Sequence, residues 1–262
     1  DPELRQRYTR AQEIYASMVE LLDQQIGRLV DYLADTGQLD DTVIFFMSDN
    51  GASAAEIGIV GKVSGVPPHF NAHVELRDNT LENFGRPGSF VDHGRGFGEA
   101  ASAPLRYYKG SLAEGGIRTP AFVRYPATIA ERSINNTFVT VMDILPSLLD
   151  IAGTTHPGAV EFNGREVQAI VGRSFWPHFA GDAPTVHGED HAAGWNAGSV
   201  GALIRGNYKL TNHPPPGVSA ASAELTWRLY DIAADAGETE DIASEHPDLV
   251  SSLIKTWERD WQ

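Results

Sequence analysis

The chain has 262 residues, of which 42% are hydrophobic and 21% are charged, a composition typical of one large globular domain or two modest ones. Its formal net charge of -15 argues against nucleic-acid binding through a broad basic face, although a few local cations could still bind a small anion. The absence of cysteine excludes disulfides, thiolate metal sites and a cysteine nucleophile within these residues. No apolar run is long enough to suggest a membrane span, and the composition does not choose a compartment.

The first two thirds of the sequence have the pattern of an α/β domain. Apolar residues over 14–33 recur at steps of three and four, which predicts an amphipathic helix. The continuous apolar run 43–47 predicts a buried strand of a parallel sheet, and 121–125 predicts a second short strand. Residues 51–103 are rich in Gly, Asn and Pro, which predicts a long loop with little regular structure, uncommon unless it is functional. A helix is predicted over 141–151.

The last third changes to an antiparallel pattern. Residues 202–211 contain two apolar stretches on either side of the turn dipeptide Gly206-Asn207, which predicts a β-hairpin. A further strand is predicted over 225–230, and an amphipathic helix over 249–261.

The two patterns meet in a stretch where Gly and Pro are frequent. We therefore predict an α/β domain over residues 1–165 and a small antiparallel sheet with a packed helix over residues 166–262. The fold class expected from the residues is α/β with a small sheet-and-helix subdomain.

The sharpest local signal is Ser48-Asp49-Asn50-Gly51, directly after the first predicted strand. In open α/β sheets, ligands gather at the carboxyl ends of strands, and the adjacent oxygens of Asp49 and Asn50 suit calcium or magnesium. Asn-Gly is also an ordinary turn dipeptide, and on these residues alone the turn is the favoured interpretation.

A second polar segment, residues 108–120, precedes the second predicted strand and reads Tyr-Lys-Gly-Ser-Leu-Ala-Glu-Gly-Gly-Ile-Arg-Thr-Pro. Its glycines permit close backbone approach, and Lys109 and Arg118 would place positive charge near an anion. A lysine ammonium suits a tetrahedral anion as a compact point charge. Taken alone, a solvated lysine in a glycine-rich turn is the favoured interpretation.

The ordered combination of these segments resembles the type I sulfatase family. The pairing of Ser-Asp-Asn-Gly at 48–51 with the Lys-Gly-Ser-Leu-Ala-Glu-Gly-Gly-Ile-Arg-Thr-Pro segment carries the resemblance. Residues 16–29, 141–153 and 229–241 also resemble segments of the family, in the same order. The stretches 79–83 and 201–209 are most similar to bacterial arylsulfatases of Pseudomonas type, and the resemblance covers nearly the whole chain.

This resemblance implies an alkaline-phosphatase-like fold and a sulfuric ester hydrolase, of which the chain would be the carboxy-terminal half. It implies that Asp49 and Asn50 bind a catalytic Ca²⁺, with Mg²⁺ as the weaker alternative, and that Lys109 binds a sulfate oxygen and assists catalysis. The implied nucleophile is a formylglycine, made from Cys or Ser in a Cys/Ser-x-Pro-x-Arg motif on upstream sequence absent from this chain. The substrate would be a small sulfate ester, first of all an aryl sulfate.

Three other segments offer chemically suggestive residues. Residues 102–106, Ser-Ala-Pro-Leu-Arg, fit the bare nucleophile pattern but continue as Tyr-Tyr-Lys, unlike the family, so shaping the loop before Lys109 is the favoured role. Residues 187–191, His-Gly-Glu-Asp-His, offer four possible metal ligands without the helical context of His-Glu-x-x-His, and a solvated loop is favoured. Asp92-His93 could line a leaving-group pocket.

Three functions stay open at this stage. Sulfate ester hydrolysis leads, and a phosphate or phosphonate ester hydrolase follows because both groups are tetrahedral and one fold can serve either. The third is a catalytically silent fragment or binding module, since half a site offers fewer than the about six to eight oxygens that calcium takes. An exposed apolar sheet edge would also favour self-association or pairing with the missing amino-terminal half.

Overall fold

The computed structural model describes residues 1–61, 68–129, 132–158 and 160–262. The α-helices, numbered in chain order, are α1 (Pro2–Asp35), α2 (Ile57–Val60), α3 (Pro68–Glu75), α4 (Arg95–Ser102), α5 (Glu114–Ile117), α6 (Ile144–Ile151), α7 (Trp176–Phe179) and α8 (Pro247–Asp260). The strands are β1 (Ile44–Met47), β2 (Ala121–Arg124), β3 (Glu161–Phe162), β4 (Arg165–Glu166), β5 (Ala192–Ala197), β6 (Val200–Arg205), β7 (Tyr208–Thr211) and β8 (Arg228–Asp231). A 3-10 turn, Val141–Asp143, leads directly into α6.

The chain forms two compact units that are not consecutive in sequence. The first unit consists of Asp1–Thr36, Phe46–Phe122 and Ala192–Gln262. The second unit consists of Gly37–Phe45 and Val123–His191. The division at residue 165 concerns consecutive stretches of chain and stays a prediction.

The long helix α1 is present as predicted, but most of its apolar residues are exposed. The carboxylate of Asp1 caps it by accepting a hydrogen bond from the backbone N of Glu3 at 2.9 Å. Ala11 is buried in a small cluster with Ile59 and Phe84. The large hydrophobic side chains that stay exposed are Tyr15, Met18, Val19, Leu21, Leu22, Leu29 and Tyr32. The helical periodicity is therefore confirmed, while this part of the apolar stripe has no cover in the described chain.

Strands β1 and β2 pair, but in the direction opposite to the one expected. The backbone N of Ser48, just after β1, donates to the carbonyl of Pro120, just before β2, at 3.2 Å. The rings of Phe46 and Phe122 stack with centroids 5.1 Å apart. The end of β1 thus lies beside the start of β2, so this pair is antiparallel, not parallel as expected for two strands of a parallel sheet. An apolar run indicates a strand but carries no information on its direction.

The described parts of the segment 51–103 are more regular than predicted, because they contain the short helices α2, α3 and α4; the prediction for 62–67 lies outside the described residues. The amide of Asn79 donates to the carbonyl of Gly58 at 3.3 Å, and its Oδ1 accepts from the backbone N of Phe90 at 2.7 Å. Such side-chain to backbone hydrogen bonds hold the backbone in place here. The helices themselves are too short to show a recognisable hydrophobic periodicity.

The carboxy-terminal sheet has the strand order β5-β6-β7-β8 and is antiparallel throughout. Its predicted hairpin is confirmed, with Arg205 paired to Tyr208 across the Gly206-Asn207 turn. Strand β5 was not predicted, because its Ala-Ala-Gly-Trp-Asn-Ala sequence has weak strand propensity. Helix α8 packs on this sheet through a buried cluster of Leu203, Leu210, Leu229, Leu253 and Trp257.

In the second unit, α6 follows a turn that is capped reciprocally. The backbone N of Thr140 donates to the carboxylate of Asp143, and the backbone N of Asp143 donates to the carbonyl of Thr140. A hairpin of β3 and β4, turning at Asn163-Gly164, was not predicted although Asn-Gly is a turn signal. Across the described residues of both units, no helix is long and apolar enough to span a membrane.

Candidate active site

The two polar segments singled out in the sequence lie side by side in the first unit. The backbone N of Gly51 donates to the carbonyl of Gly116 at 3.0 Å. The backbone N of Lys109 donates to the carbonyl of Ala52, also at 3.0 Å. The antiparallel pairing of β1 and β2 explains this, because it brings the turn after β1 next to the segment before β2. We call residues 48–52 the aspartate turn and residues 108–117 the lysine segment.

Glycine is required where the aspartate turn touches the lysine segment. A Cβ on Gly51 would lie 1.8 Å from the carbonyl oxygen of Gly115, far inside any real contact. A Cβ on Gly115 would lie 2.2 Å from the carbonyl oxygen of Tyr107, and one on Gly116 would lie 2.2 Å from that of Ser111. The glycines therefore let three stretches of backbone approach each other closely.

The side chains of Asp49, Asn50 and Lys109 are free to bind a ligand. Asp49 and Lys109 are exposed, and Asn50 is half-buried. Within the described part of the chain, none of these three side chains makes a hydrogen bond or an ion pair. The hydroxyl of Ser48 donates to the carbonyl of Asn50 at 3.0 Å, which holds the turn without using either candidate ligand.

The donor set of the aspartate turn fits a hard cation in chemistry but is incomplete. A carboxylate and an amide oxygen on adjacent residues are ligands that calcium and magnesium accept. Among the residues that the structure describes, no group of three or more His, Asp and Glu side chains is arranged to hold a metal ion. The turn therefore offers part of a coordination sphere.

The segment 102–106 has a structural role consistent with loop shaping. The guanidinium of Arg106 donates to the carbonyl of Glu238 at 2.8 Å and to the hydroxyl of Tyr230 at 3.2 Å. The hydroxyl of Ser102 donates to the carbonyl of Gly115 at 3.3 Å. These contacts fasten the chain just before Lys109.

The expectation of a solvated loop at residues 187–191 was wrong for its two histidines. Nε2 of His187 lies 3.0 Å from a carboxylate oxygen of Asp143, and the two histidine rings stack with centroids 3.8 Å apart. Burial alone would raise the pKa of Asp143, but hydrogen bonds from the backbone of Arg173 and Thr140 and from His187 outweigh it and lower that pKa. Glu189 and Asp190 are exposed, as expected of a loop.

Asp92 and His93 tie neighbouring segments of the first unit together. The carboxylate of Asp92 accepts a hydrogen bond from the backbone N of Gly58 at 2.8 Å. The imidazole of His93 contacts the side chain of Gln12 at 2.9 Å and the carbonyl of Ser53 at 3.3 Å. Burial lowers the pKa of His93. A part in a leaving-group pocket stays a prediction for both residues.

A buried cluster of charges, not predicted from the sequence, touches the lysine segment. The ammonium of Lys209 lies 2.8 Å from the carboxylate of Glu114 and 3.1 Å from that of Glu238. No motif could reveal it, because the three residues come from α5, β7 and a loop after β8, far apart in sequence.

Models of known families match both parts of the chain. The family model described as sulfatase matches residues 1–154, which include the aspartate turn and the lysine segment. The chain belongs to the sulfatase family. Residues 106–258 also match the model described as N-sulphoglucosamine sulphohydrolase, C-terminal, so both parts of this sulfatase chain have family counterparts.

Two curated relatives show how much of a sulfatase the chain represents. An uncharacterized sulfatase of Schizosaccharomyces pombe is 43% identical over 248 residues, covering 95% of this chain and 43% of the relative. An arylsulfatase of Klebsiella aerogenes is 34% identical over 150 residues, covering 56% of this chain and 31% of the relative. The chain therefore spans less than half of the length of these relatives.

Solved structures show the fold. Ps i-CgsB in complex with a neocarrahexaose matches with a TM-score of 0.60 and 22% identity, covering 94% of this chain and 42% of that one. The PsFucS1 sulfatase from Pseudoalteromonas sp. matches with a TM-score of 0.60 and 18% identity, covering 93% and 41%. The predicted fold class, an alkaline-phosphatase-like α/β fold with a small antiparallel sheet and helix, is thereby confirmed.

Proposed function

We propose that this chain contributes part of the active site of a sulfate ester hydrolase. In this proposal Asp49 and Asn50 are ligands of a calcium ion, and Lys109 binds an oxygen of the sulfate group. The supporting observation is the pair of 3.0 Å backbone hydrogen bonds that join the aspartate turn to the lysine segment. Because of these bonds, hard oxygens and an ammonium group are carried on two adjoining loops, so a cation held by the oxygens and the ammonium of Lys109 would both lie near one tetrahedral anion.

The proposed roles follow from charge. Calcium, when bound, would offset negative charge on the sulfate oxygens. The carboxylate of Asp49 and the amide oxygen of Asn50 would hold it on one side of the anion. The ammonium of Lys109 would supply positive charge from the lysine segment, where it has no competing carboxylate partner among the described residues.

The nucleophile is proposed to come from sequence outside these 262 residues. The chain has no cysteine. Ser102, the serine in the bare nucleophile pattern, is half-buried and donates its hydroxyl to the carbonyl of Gly115. A residue engaged in fastening the lysine segment is a poor candidate for a modified nucleophile. The family resemblance instead suggests a formylglycine on an upstream motif.

The metal role is tested by replacing one ligand. In the full-length protein, Asp49→Ala should raise the calcium concentration for half-maximal hydrolysis of an aryl sulfate by about 10–100-fold. Asp182→Ala is the matched control, since Asp182 is an exposed loop carboxylate in the second unit. An unchanged calcium requirement in the Asp49 variant would refute the assignment.

The lysine role is tested in the same assay. Lys109→Ala should lower kcat by about 100-fold, because a preorganised positive charge is lost where charge develops in the transition state. Lys255→Ala, which removes an exposed lysine from α8, should leave kcat unchanged. Equal rates for the Lys109 variant and the wild type would exclude this lysine from the site.

Matched substrates separate the alternative functions. Aryl sulfate should be hydrolysed faster than alkyl sulfate, and both faster than the corresponding phosphate and phosphonate esters, as the sulfatase names of the relatives suggest. A preference for phosphate or phosphonate would favour the second hydrolase hypothesis. Calcium binding without turnover of any ester by the full-length protein would favour a binding module.

A further inference from the structure

Three buried charged side chains meet directly behind the lysine segment. Lys209 on β7 is 0% exposed, Glu114 at the start of α5 is 3% exposed, and Glu238 is 1% exposed. The ammonium of Lys209 donates a hydrogen bond to Glu114 at 2.8 Å and forms an ion pair with Glu238 at 3.1 Å. The second carboxylate oxygen of Glu238 accepts a hydrogen bond from the backbone N of Glu114 at 2.7 Å. We call these three residues the charge triad.

The charge triad is a costly way to hold two loops and a strand together. Burying three ionised groups forfeits their hydration, and apolar residues of similar size often stabilise a protein at least as well. Glu114 also forms a longer ion pair, at 3.9 Å, with the half-exposed guanidinium of Arg118, so two cations face the two carboxylates. Apolar packing is largely non-directional, whereas each hydrogen bond of a charged group fixes the position of its partner.

The charge triad is connected to the aspartate turn through the backbone that follows Glu114. Glu114 is followed by Gly115 and Gly116, whose carbonyl accepts the hydrogen bond from the backbone N of Gly51. Gly51 in turn follows Asn50 directly. A displacement of Glu114 would therefore move the acceptor that holds Gly51, and with it the proposed calcium ligands.

The triad is anchored on its other side by the segment before Lys109. Glu238 has a positive φ of 51°, an uncommon conformation for a residue with a side chain. Its carbonyl accepts a hydrogen bond from Arg106, whose own carbonyl accepts one from the backbone N of Gly115 at 2.8 Å. The same residues thus hold the lysine segment at both of its ends.

We propose that Lys209, Glu114 and Glu238 are positioning residues that set the relative placement of the aspartate turn and the lysine segment. This inference rests on the proposed function for its catalytic consequence, while its structural consequence is independent of activity. All three side chains are buried, which is why we assign them positioning rather than substrate binding. Their effect passes through the backbone of Gly115 and Gly116.

The first test compares two buried substitutions in the full-length protein. Lys209→Met keeps most of the length of the side chain and removes its charge, whereas Leu253→Ala removes packing from α8, away from the triad. Lys209→Met should lower kcat/KM for an aryl sulfate about 10-fold or more. It should also raise the calcium midpoint, by which we mean the calcium concentration for half-maximal hydrolysis. Leu253→Ala should lower the Tm and leave kcat and the calcium midpoint unchanged. Equal calcium midpoints in all three proteins would overturn the inference.

A second measurement does not depend on turnover. Hydrogen exchange of the Gly51 amide should become faster in Lys209→Met and in Glu114→Gln, and should stay unchanged in Leu253→Ala. If the wild type shows no sulfatase activity but this pattern appears, the proposed function fails and the positioning role stands. If turnover is normal and Gly51 exchange is the same in all variants, the positioning role fails alone.

A triple variant separates positioning from simple charge imbalance. Lys209→Met combined with Glu114→Gln and Glu238→Gln removes every charge of the triad, and it should recover stability relative to Lys209→Met alone. It should not recover the calcium midpoint or the slow exchange of Gly51. Recovery of all three properties would show that the triad acts only through stability and would overturn the inference. Should Lys209→Met fail to fold, Glu114→Gln and the triple variant carry the same comparison.

Discussion

The aspartate turn can contact the lysine segment because Gly51 has a hydrogen atom in place of a Cβ. Because an added Cβ would lie 1.8 Å from the carbonyl oxygen of Gly115, we expect Gly51→Ala to push the two segments apart. The free energy of unfolding should fall by about 1–3 kcal/mol, as for other overpacked sites. Denaturant unfolding measures this. Gly96→Ala in α4, where nothing lies within 4 Å, should instead raise it by about 0.5–1 kcal/mol.

Asp143 gives the second unit a pH-dependent contribution to stability. Its pKa lies below the ordinary 3.8, so the charged form is favoured by folding. That contribution is fully present above the ordinary pKa and is lost as the pH falls through the lower pKa of the folded state. Asp143→Asn should therefore cost about 1–3 kcal/mol at pH 7.

The cost of Asp143→Asn should shrink as the pH falls below the ordinary pKa of 3.8. Urea unfolding of the wild type and the variant between pH 7 and pH 3 measures this difference. Exposed Asp190, substituted in the same way, should show almost no difference at any pH. A pH-independent gap between wild type and Asp143→Asn would contradict the hydrogen-bond explanation.

Helix α1 carries an apolar stripe that the rest of the described chain does not cover. Met18 is 65% exposed, Leu22 52% and Leu29 60%. We expect the 262-residue chain to self-associate through this stripe, since monomers rarely expose apolar patches of this kind. Met18→Glu with Leu22→Glu should shift sedimentation towards monomer. Gln24→Glu with Arg28→Glu, on another side of the helix, should not.

The elements divide into those that periodicity identifies and those that tertiary bonds create. Helix α1, the β6–β7 hairpin and helix α8 have patterns long enough to be recognised, and all three were predicted. The short helices of 51–103 and strand β5 lack such a pattern. The backbone of the short helices is held by distant partners, as in the bond from Gly58 to Asp92, whereas β5 pairs with the next strand, β6.

Calcium should stabilise the full-length protein as a whole if the proposed site is correct. A ligand at 100 times its Kd adds about 2.7 kcal/mol to the free energy of unfolding. The Tm should therefore rise with CaCl₂, rise less with MgCl₂, and fall when a chelator is added. Asp49→Ala should lose this response while keeping the Tm of the metal-free wild type. No change in Tm on addition of either calcium or chelator would contradict the metal assignment.

Asp49, Asn50 and Lys109 could be proposed from the sequence because the ordered motifs that contain them resemble the sulfatase family; the residues alone favoured an ordinary turn and a solvated lysine. The charge triad and the contact of His187 with Asp143 could not, since each joins residues separated by 29 positions or more. Charged and polar residues scattered along a sequence look like solvated positions. Only folding shows which of them are buried together.

The sequence by itself determined the sulfatase resemblance, the fold class and the main helices and strands, because each can be recognised from local periodicity or from a contiguous motif. The tertiary structure decided that β1 and β2 run antiparallel and that the aspartate turn contacts the lysine segment. It also decided that the charge triad is buried against the lysine segment. These features depend on backbone approach and on the burial of distant charges. No local pattern encodes such relations, since they exist only after the chain has folded.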